Sequence, residues 1–178
     1  MKKKLKPYTA VIPCPVALVS VAGEEKPNML TISWMANVCS KPPKLAIGVR
    51  PSRYSHHLIK DAGDFVVNIP PADLVEAAAL AGSKSGSDID KFEYLRLTPA
   101  SSSDITSPRI EECIINIECK TSQIIDIGSH DLFIADVVAV HVDESILDSK
   151  DRLDPMKANT FVYLPLIQEY WTLGERLR

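Results

Sequence analysis

The chain has 178 residues, 46% of them hydrophobic and 24% charged, with a formal net charge of −3. That is the size and balance of one globular domain over residues 1–178, and it argues against a disordered chain, a coiled coil and a basic nucleic-acid-binding surface. No apolar run approaches the roughly 20 residues that span a bilayer, and the basic Lys2–Lys4 start has no apolar segment before Pro13, so the expectation is a solvated tail and a cytoplasmic protein without a signal peptide.

Residues 14–21 (CPVALVSV) are valine-rich and apolar at both alternating sets of positions, which predicts a strand covered on both faces. Residues 23–26 are a polar turn, and residues 28–35 resume an extended pattern, so the two segments read as a hairpin. Pro42-Pro43 breaks the chain before a strand over residues 44–49. Residues 54–62 have helical character, with Ser52 as N-cap and Gly63 as the stop. A strand over residues 65–69 follows. Pro71 then opens a second helix over residues 72–81, closed by Gly82. Residues 83–87 (SKSGS) are a polar flexible loop, and a short helix over residues 90–95 comes after it.

The second half is mainly β. Over residues 110–121, Cys113, Ile115, Ile117 and Cys119 face one way, and Asn116, Glu118 and Lys120 the other. Residues 128–131 make a turn, residues 132–142 a long strand covered on both faces, and residues 161–164 a last short strand before a tail with Tyr170-Trp171. Roughly six to eight strands with two or three short helices fit a Greek-key-like antiparallel barrel, closed or partly closed, which hides its edges. Two-faced apolar strands exceed the needs of a lone barrel and call for a second layer, from helices or from a partner subunit.

No Walker loop, no GxGxxG after a strand, no GxSxG elbow and no HExxH occurs, so a Rossmann dinucleotide fold has no support. Cys14, Cys39, Cys113 and Cys119 form no CxxC, and no histidine stands at zinc-finger spacing from them. They read as free thiols, with Cys39, placed in a loop, the one to test for reactivity. Two segments carry candidate chemistry. In residues 28–35 (NMLTISWM), Thr31 and Ser33 set hydroxyls on one face of a strand, with Leu30 and Ile32 on the other. Paired hydroxyls with neighbouring N–H groups hold a phosphate or a heteroaromatic edge; an ordinary half-buried strand has the same pattern. In residues 50–55 (RPSRYS), Arg50 and Arg53 offer charge-assisted bonds to phosphate, Ser52 and Ser55 add hydroxyls, and a helix N-terminus adds its positive end. A capped helix start with solvated arginines fits that stretch equally.

The run PCPVALVSV…PNMLTISWMANVCSKPPKLAIGVRPSRYSHHLIKDAGDFVVNIP resembles the flavin reductase-like family of FMN-binding split barrels. Ser83-Lys84-Ser85-Gly86 followed by Asp90-Lys91-Phe92 is similar to the family's Lys/Ser-rich loop and Asp-Lys-Phe. Gly128-Ser129-His130 is similar to its Gly-Asp-His turn, with Ser129 where an acidic residue is usual, and PLIQEYWTLGE resembles its C-terminal aromatic pair and glycine. The resemblance covers residues 13–174. It implies a mainly β fold, an FMN-binding split β-barrel with a few short α-helices, and a homodimer with FMN near the subunit interface.

Carried onto this chain, the resemblance places Asn28, Met29, Leu30, Thr31, Ser33, Trp34 and Met35 along the isoalloxazine. Arg50, Ser52, Tyr54 and Ser55 take the phosphate and ribityl chain, and Ser83, Lys84 and Ser85 add phosphate or ring contacts. Lys91, Phe92, His130 and Trp171 lie nearer the substrate. His130 is the candidate catalytic residue, as proton donor or as ligand of a nicotinamide phosphate; a turn histidine bonded to backbone is the plainer alternative. Trp34 and Trp171 either cover the ring or pack, and His56 and His57 belong to a helix surface and the dimer seam. The implied activity is NAD(P)H-dependent reduction of flavin, ferric chelates or a similar acceptor. An FMN electron carrier serving a redox partner protein without nicotinamide is the alternative, and a non-redox interaction module a third reading. Neither nucleic acid nor a membrane is an expected partner, and no metal is expected.

Overall fold

The computed structural model describes residues 1–177. Its strands are β1 (Cys14–Pro15), β2 (Ala17–Val21), β3 (Asn28–Ile32), β4 (Met35–Ser40), β5 (Pro43–Val49), β6 (Asp64–Ile69), β7 (Pro99–Ala100), β8 (Arg109–Ile110), β9 (Ile115–Asp126), β10 (Asp131–Val142), β11 (Phe161–Leu164) and β12 (Glu169–Thr172). Helices α1 (Tyr54–Ala62), α2 (Val75–Ser83), α3 (Lys91–Leu95) and α4 (Pro155–Ala158) lie between them.

Seven strands form an antiparallel sheet in the order β3-β2-β6-β9-β10-β5-β4. Its two edge strands, β3 and β4, are joined by Ser33 and Trp34 alone. Three peptide steps reach only about 10 Å, so the edges must meet and the sheet curls into a barrel. At the seam the linker extends the β4–β5 ladder by one step, the Gly48 N–H donating to the Trp34 carbonyl at 2.9 Å. The single extended run expected over residues 28–35 is therefore two strands on opposite edges. Only its first part pairs with β2, in register from Ala17↔Ile32 to Val21↔Asn28.

Alternation along β2 builds both layers of the core. Ala17, Val19 and Val21 point into the barrel with Ile47, Phe65, Phe133 and Cys119, which α1 closes with Leu58 and Ile59. Val16 and Leu18 point outward and are covered by Ala78 and Ala81 of α2, Phe92 of α3, and Phe161. The second layer that the sequence calls for is thus supplied by the chain's own helices. Side chains such as Phe65 and Phe133, fully buried here, cost about 3–5 kcal/mol each when cut to alanine. A polar node ties the layers together: Asn68, fully buried, donates to the Leu18 carbonyl at 2.7 Å and to Ser20 Oγ at 2.9 Å, and accepts from the Ile110 N–H at 3.0 Å and Asn116 Nδ2 at 2.9 Å.

Several local expectations change. Pro43 starts β5, so the Pro42-Pro43 pair lies at a hairpin turn, and Cys39 sits exposed within β4, not in a loop. Strand β9 begins only at Ile115, so Cys113 joins the outer core while Cys119 joins the inner one. The far half of β10 is open on one face, where Val138, Val140 and Val142 are exposed. The tail pairs with β11 as β12, from Phe161↔Thr172 to Leu164↔Glu169. Helix α2 starts after a short turn at Ala72–Leu74 and runs through Gly82 to Ser83. Helix α2 approaches β3 closely at Gly82, where a Cβ would lie 3.3 Å from the Thr31 Cβ.

Candidate functional site

The seam of the barrel is also where functional side chains collect. Three contiguous cavities open there, of about 170, 370 and 300 Å³, and all three share Thr31 and Arg53. None of the three has an aspartate or glutamate in its wall.

The smallest cavity is lined by Ser52, Arg53, Tyr54 and Ser55 at the start of α1, by Ser83, Lys84, Ser85 and Gly86 after α2, and by Lys91. Ser52 does not cap α1. The N-cap position is Arg53, extended at φ −79° and ψ 132°, with no side chain bonded to the helix amides. The positive end of α1 therefore faces the cavity without a neutralising cap. Lys91 is 4% exposed, and its ammonium donates to the Met29 carbonyl at 2.9 Å and the Ala81 carbonyl at 2.6 Å. Two of its three N–H groups are thereby used. Burial, reinforced by the Arg53 charge, lowers its pKa from 10.5 to about 8.

Asn28 is buried and does not line the cavities. Its Nδ2 donates to Ser55 Oγ at 2.7 Å. Its Oδ1 lies so close to Gly86 that a Cβ there would approach to 2.3 Å. Asn28 thus braces β3, α1 and the residue 83–86 loop against one another. Met29 is wholly buried in the outer core and contributes its carbonyl to Lys91. The Thr31 hydroxyl donates to the Ala78 carbonyl, fastening β3 to α2. Ser33 is half-buried and opens on both wider cavities, and its hydroxyl has no partner among the described residues.

The 370 Å³ cavity is bounded by residues 30–34, Gly48, Val49, Arg50, Arg53, His130, Tyr163 and Pro165. Trp34 and His130 form one wall, with ring centroids 4.6 Å apart at 37°. His130 is buried, its Nδ1 is 2.9 Å from Ser129 Oγ, and burial together with the Arg50 charge pushes its pKa below the ordinary histidine value. Arg50 thus stands beside His130 and apart from the hydroxyl-rich cavity, although the sequence had grouped it with Ser52 and Ser55. Among the described residues, neither Arg50 nor Arg53 pairs with a carboxylate. The 300 Å³ cavity lies between Val16, Ala79, Gly82, Ser83 and the tyrosines Tyr163 and Tyr170, whose rings are 5.0 Å apart.

Of the residues singled out in sequence, Leu30, Thr31, Ser33, Trp34, Arg50, Ser52, Tyr54, Ser55, Ser83, Lys84, Ser85, Lys91 and His130 line these cavities. Met35 packs on the inner core, and Phe92 is buried in the outer one. Trp171 is exposed, donates to Glu169 at 2.9 Å and lies outside the cavity walls. His56 is not a surface residue: it meets Asp131 at 2.7 Å and rests edge-on against Phe133. Sequence reasoning missed Tyr163, Tyr170, Gly48 and Pro165. The β11–β12 pairing that sets the two tyrosines opposite each other, their rings tilted by 43°, was not foreseen, so nothing marked them as wall residues. Among the described residues, no group of three or more His, Cys, Asp or Glu side chains is placed to hold a metal ion, and no helix is long and apolar enough to cross a membrane.

Residues 9–163 match the family model described as flavin reductase like domain. The structure superposes on the flavoredoxin of Desulfovibrio vulgaris (Miyazaki F) with a TM-score of 0.95 at 34% identity, covering 100% of this chain and 96% of that one. It is similarly close to a flavoredoxin from Methanosarcina acetivorans, with a TM-score of 0.94 at 26% identity, covering 100% of this chain and 94% of the other. An FMN-binding protein from Thermus thermophilus aligns with a TM-score of 0.83 at 25% identity, over 100% of this chain and 96% of its own. The fold is a split barrel of the kind these flavin proteins share, and the chain belongs to the flavin reductase like domain family.

Proposed function

We propose that this protein is an FMN-dependent oxidoreductase whose flavin lies along the barrel seam. The observation that carries this reading is the shared position of Thr31 and Arg53, which makes one small cationic, hydroxyl-rich cavity continuous with two wider ones walled by rings. The donor set of the small cavity fits a phosphate monoester: the α1 N-terminus, the Arg53 guanidinium, the Lys91 ammonium and the hydroxyls of Ser52 and Ser55, the latter accepting from Asn28 and so free to donate. Leu30, Tyr163 and Tyr170 offer apolar and aromatic surface to a planar ring. Bound FMN supplies the hydride and electron-transfer chemistry itself. The chain holds its phosphate, orients its ring against Ser33 and Trp34, and keeps His130 close enough to manage a proton at its imidazole.

The donor reading is NADH or NADPH, which the cationic 370 Å³ cavity supports. A second reading, an electron carrier working with a redox protein, is favoured by whole-chain likeness to two proteins named flavoredoxin. The exposed row Val138, Val140 and Val142 on β10 supports a homodimer that covers it. The cytoplasm is the proposed location, where a reducing environment would keep the four free cysteines as thiols. The test is anaerobic addition of NADH and then NADPH to the FMN-loaded protein. Bleaching of the visible flavin bands supports the reductase. Bands that persist until dithionite is added support the carrier.

A further inference from the structure

We propose that the cavity between Arg50 and the Trp34–His130 pair is a subsite for a small aromatic carboxylate, the acceptor or effector that sits beside the flavin. The inference rests on the FMN reading, which sets the flavin ring against Leu30, Ser33 and Tyr163 of the same cavity; the subsite is the part bounded by Gly48, Arg50 and the Trp34–His130 pair. Arg50 lies outside the small cavity and inside the 370 Å³ one. Its guanidinium has no carboxylate partner among the described residues, and no acidic residue lines the cavity to compete with a bound anion. In a chain of net charge −3 this positive wall is local. A planar guanidinium binds a carboxylate through two parallel bonds, which fixes the orientation of whatever ring carries it.

The ring has a surface to meet. Trp34 is 41% exposed although it packs on His130, so one part of the indole remains open toward the cavity. Gly48 continues the wall without a side chain, and a Cβ there would sit 3.7 Å from the Trp34 Cβ. His130 is buried and leans toward its neutral form beside Arg50. Arg50 is the charge that acts on the imidazole, with Arg53 the other cation in the cavity wall, and the imidazole remains available to share a proton with a carboxylate. Cation, aromatic face and neutral imidazole converge on one compartment whose volume suits a single substituted ring.

The test is binding, not turnover. FMN-loaded wild type, Arg50→Met and Arg53→Ala are titrated by calorimetry with 4-nitrobenzoate and with its neutral analogue 4-nitrobenzamide. Expected is 4-nitrobenzoate binding at least tenfold tighter than the amide in wild type, a loss of about tenfold in Arg50→Met, and FMN affinity in Arg50→Met within twofold of wild type. Equal affinity for acid and amide, or an undiminished 4-nitrobenzoate affinity in Arg50→Met, overturns the subsite. A loss of NADPH affinity in Arg50→Met without a loss of 4-nitrobenzoate affinity assigns the arginine to a nucleotide phosphate and also overturns it. If the protein takes up no FMN, the same titrations on the flavin-free chain still decide the subsite, so failure of the flavin reading and failure of this one are distinguishable.

Discussion

The buried ammonium of Lys91 donates to the main-chain carbonyl of Met29 at 2.9 Å, inside the wall of the smallest cavity. A cation is thereby fixed where a phosphate would bind, and burial is the largest cause of its pKa falling from 10.5 to about 8. In the unbound protein the folded pKa lies below the unfolded one. Protonation is then a cost to the fold that is fully present below pH 8 and is relieved as pH rises toward 10.5. A phosphate favours the protonated lysine, so FMN affinity should move the other way and fall as pH rises through about 8. Lys91→Met should weaken FMN binding about ten- to hundredfold and flatten that pH dependence. Fluorescence titration of FMN from pH 6.5 to 9.5 checks both (a range chosen to bracket the shifted pKa).

Gly86→Ala places a Cβ 2.3 Å from Asn28 Oδ1, closer than side-chain atoms ever approach. The loop or Asn28 must move, and overpacking of this kind costs about 1–3 kcal/mol. Because Asn28 also holds Ser55, FMN binding should weaken together with stability. Thermal melting of Gly86→Ala, Asn28→Ala and the double variant checks the cause: the double variant should lose less than the two single losses combined, since removing the Asn28 amide relieves the closest clash and leaves the one with Tyr54 Cδ1 at 2.8 Å.

Asn68→Ala leaves the buried Ile110 N–H and Asn116 Nδ2 without their shared acceptor and empties a fully buried position. Unpaired buried groups cost about 1–3 kcal/mol each, so a loss of about 2–4 kcal/mol in denaturant unfolding is expected. The position lies away from the seam cavities, so FMN affinity of the folded fraction should hold.

Glu118 is wholly buried and accepts from the N–H groups of Ser103 and Asp104, both at 2.8 Å, and it meets His141 at 2.7 Å. Burial alone raises its pKa, but these bonds and the nearby imidazole outweigh it, and the carboxyl ends below the ordinary glutamate value. A depressed folded pKa gives stability that is present above the unfolded value and is lost as pH falls through the folded one. Glu118→Gln should therefore be less stable than wild type at neutral pH and should lose less on acidification. Urea midpoints at pH 7 and below pH 4 compare the two.

Much of this architecture was legible in residue order. The two-faced apolar run at residues 14–21 marked a strand between two layers, and the layers are there around Ala17–Val21 as the barrel interior and the helices α2 and α3. The Arg50–Ser55 segment drew notice because charge, hydroxyls and a helix start coincide within a few residues, and the structure sets all but Pro51 of it in the cavity walls. What could not be read was set by long-range pairing. The split of residues 28–35 between opposite edges depends on how the whole sheet closes. The meeting of Tyr163 with Tyr170 depends on a hairpin with weak local signals. Arg50 and Arg53, three positions apart, look equivalent in sequence, and only the turn between β5 and α1 confines Arg50 to the 370 Å³ cavity while Arg53 lines all three. The family resemblance placed Asn28 along the isoalloxazine, and the structure buries its side chain against Gly86 and Ser55, a bracing contact that residue order does not show.

The most direct measurement is a titration of the purified, flavin-stripped protein with FMN and, in parallel, with riboflavin, which lacks the phosphate. Expected is stoichiometric FMN uptake, with riboflavin bound at least tenfold more weakly in wild type and that preference reduced in Arg53→Ala and Lys91→Met. Failure to bind FMN, or equal affinity for FMN and riboflavin, would contradict a phosphate held between α1, Arg53 and Lys91 at the barrel seam.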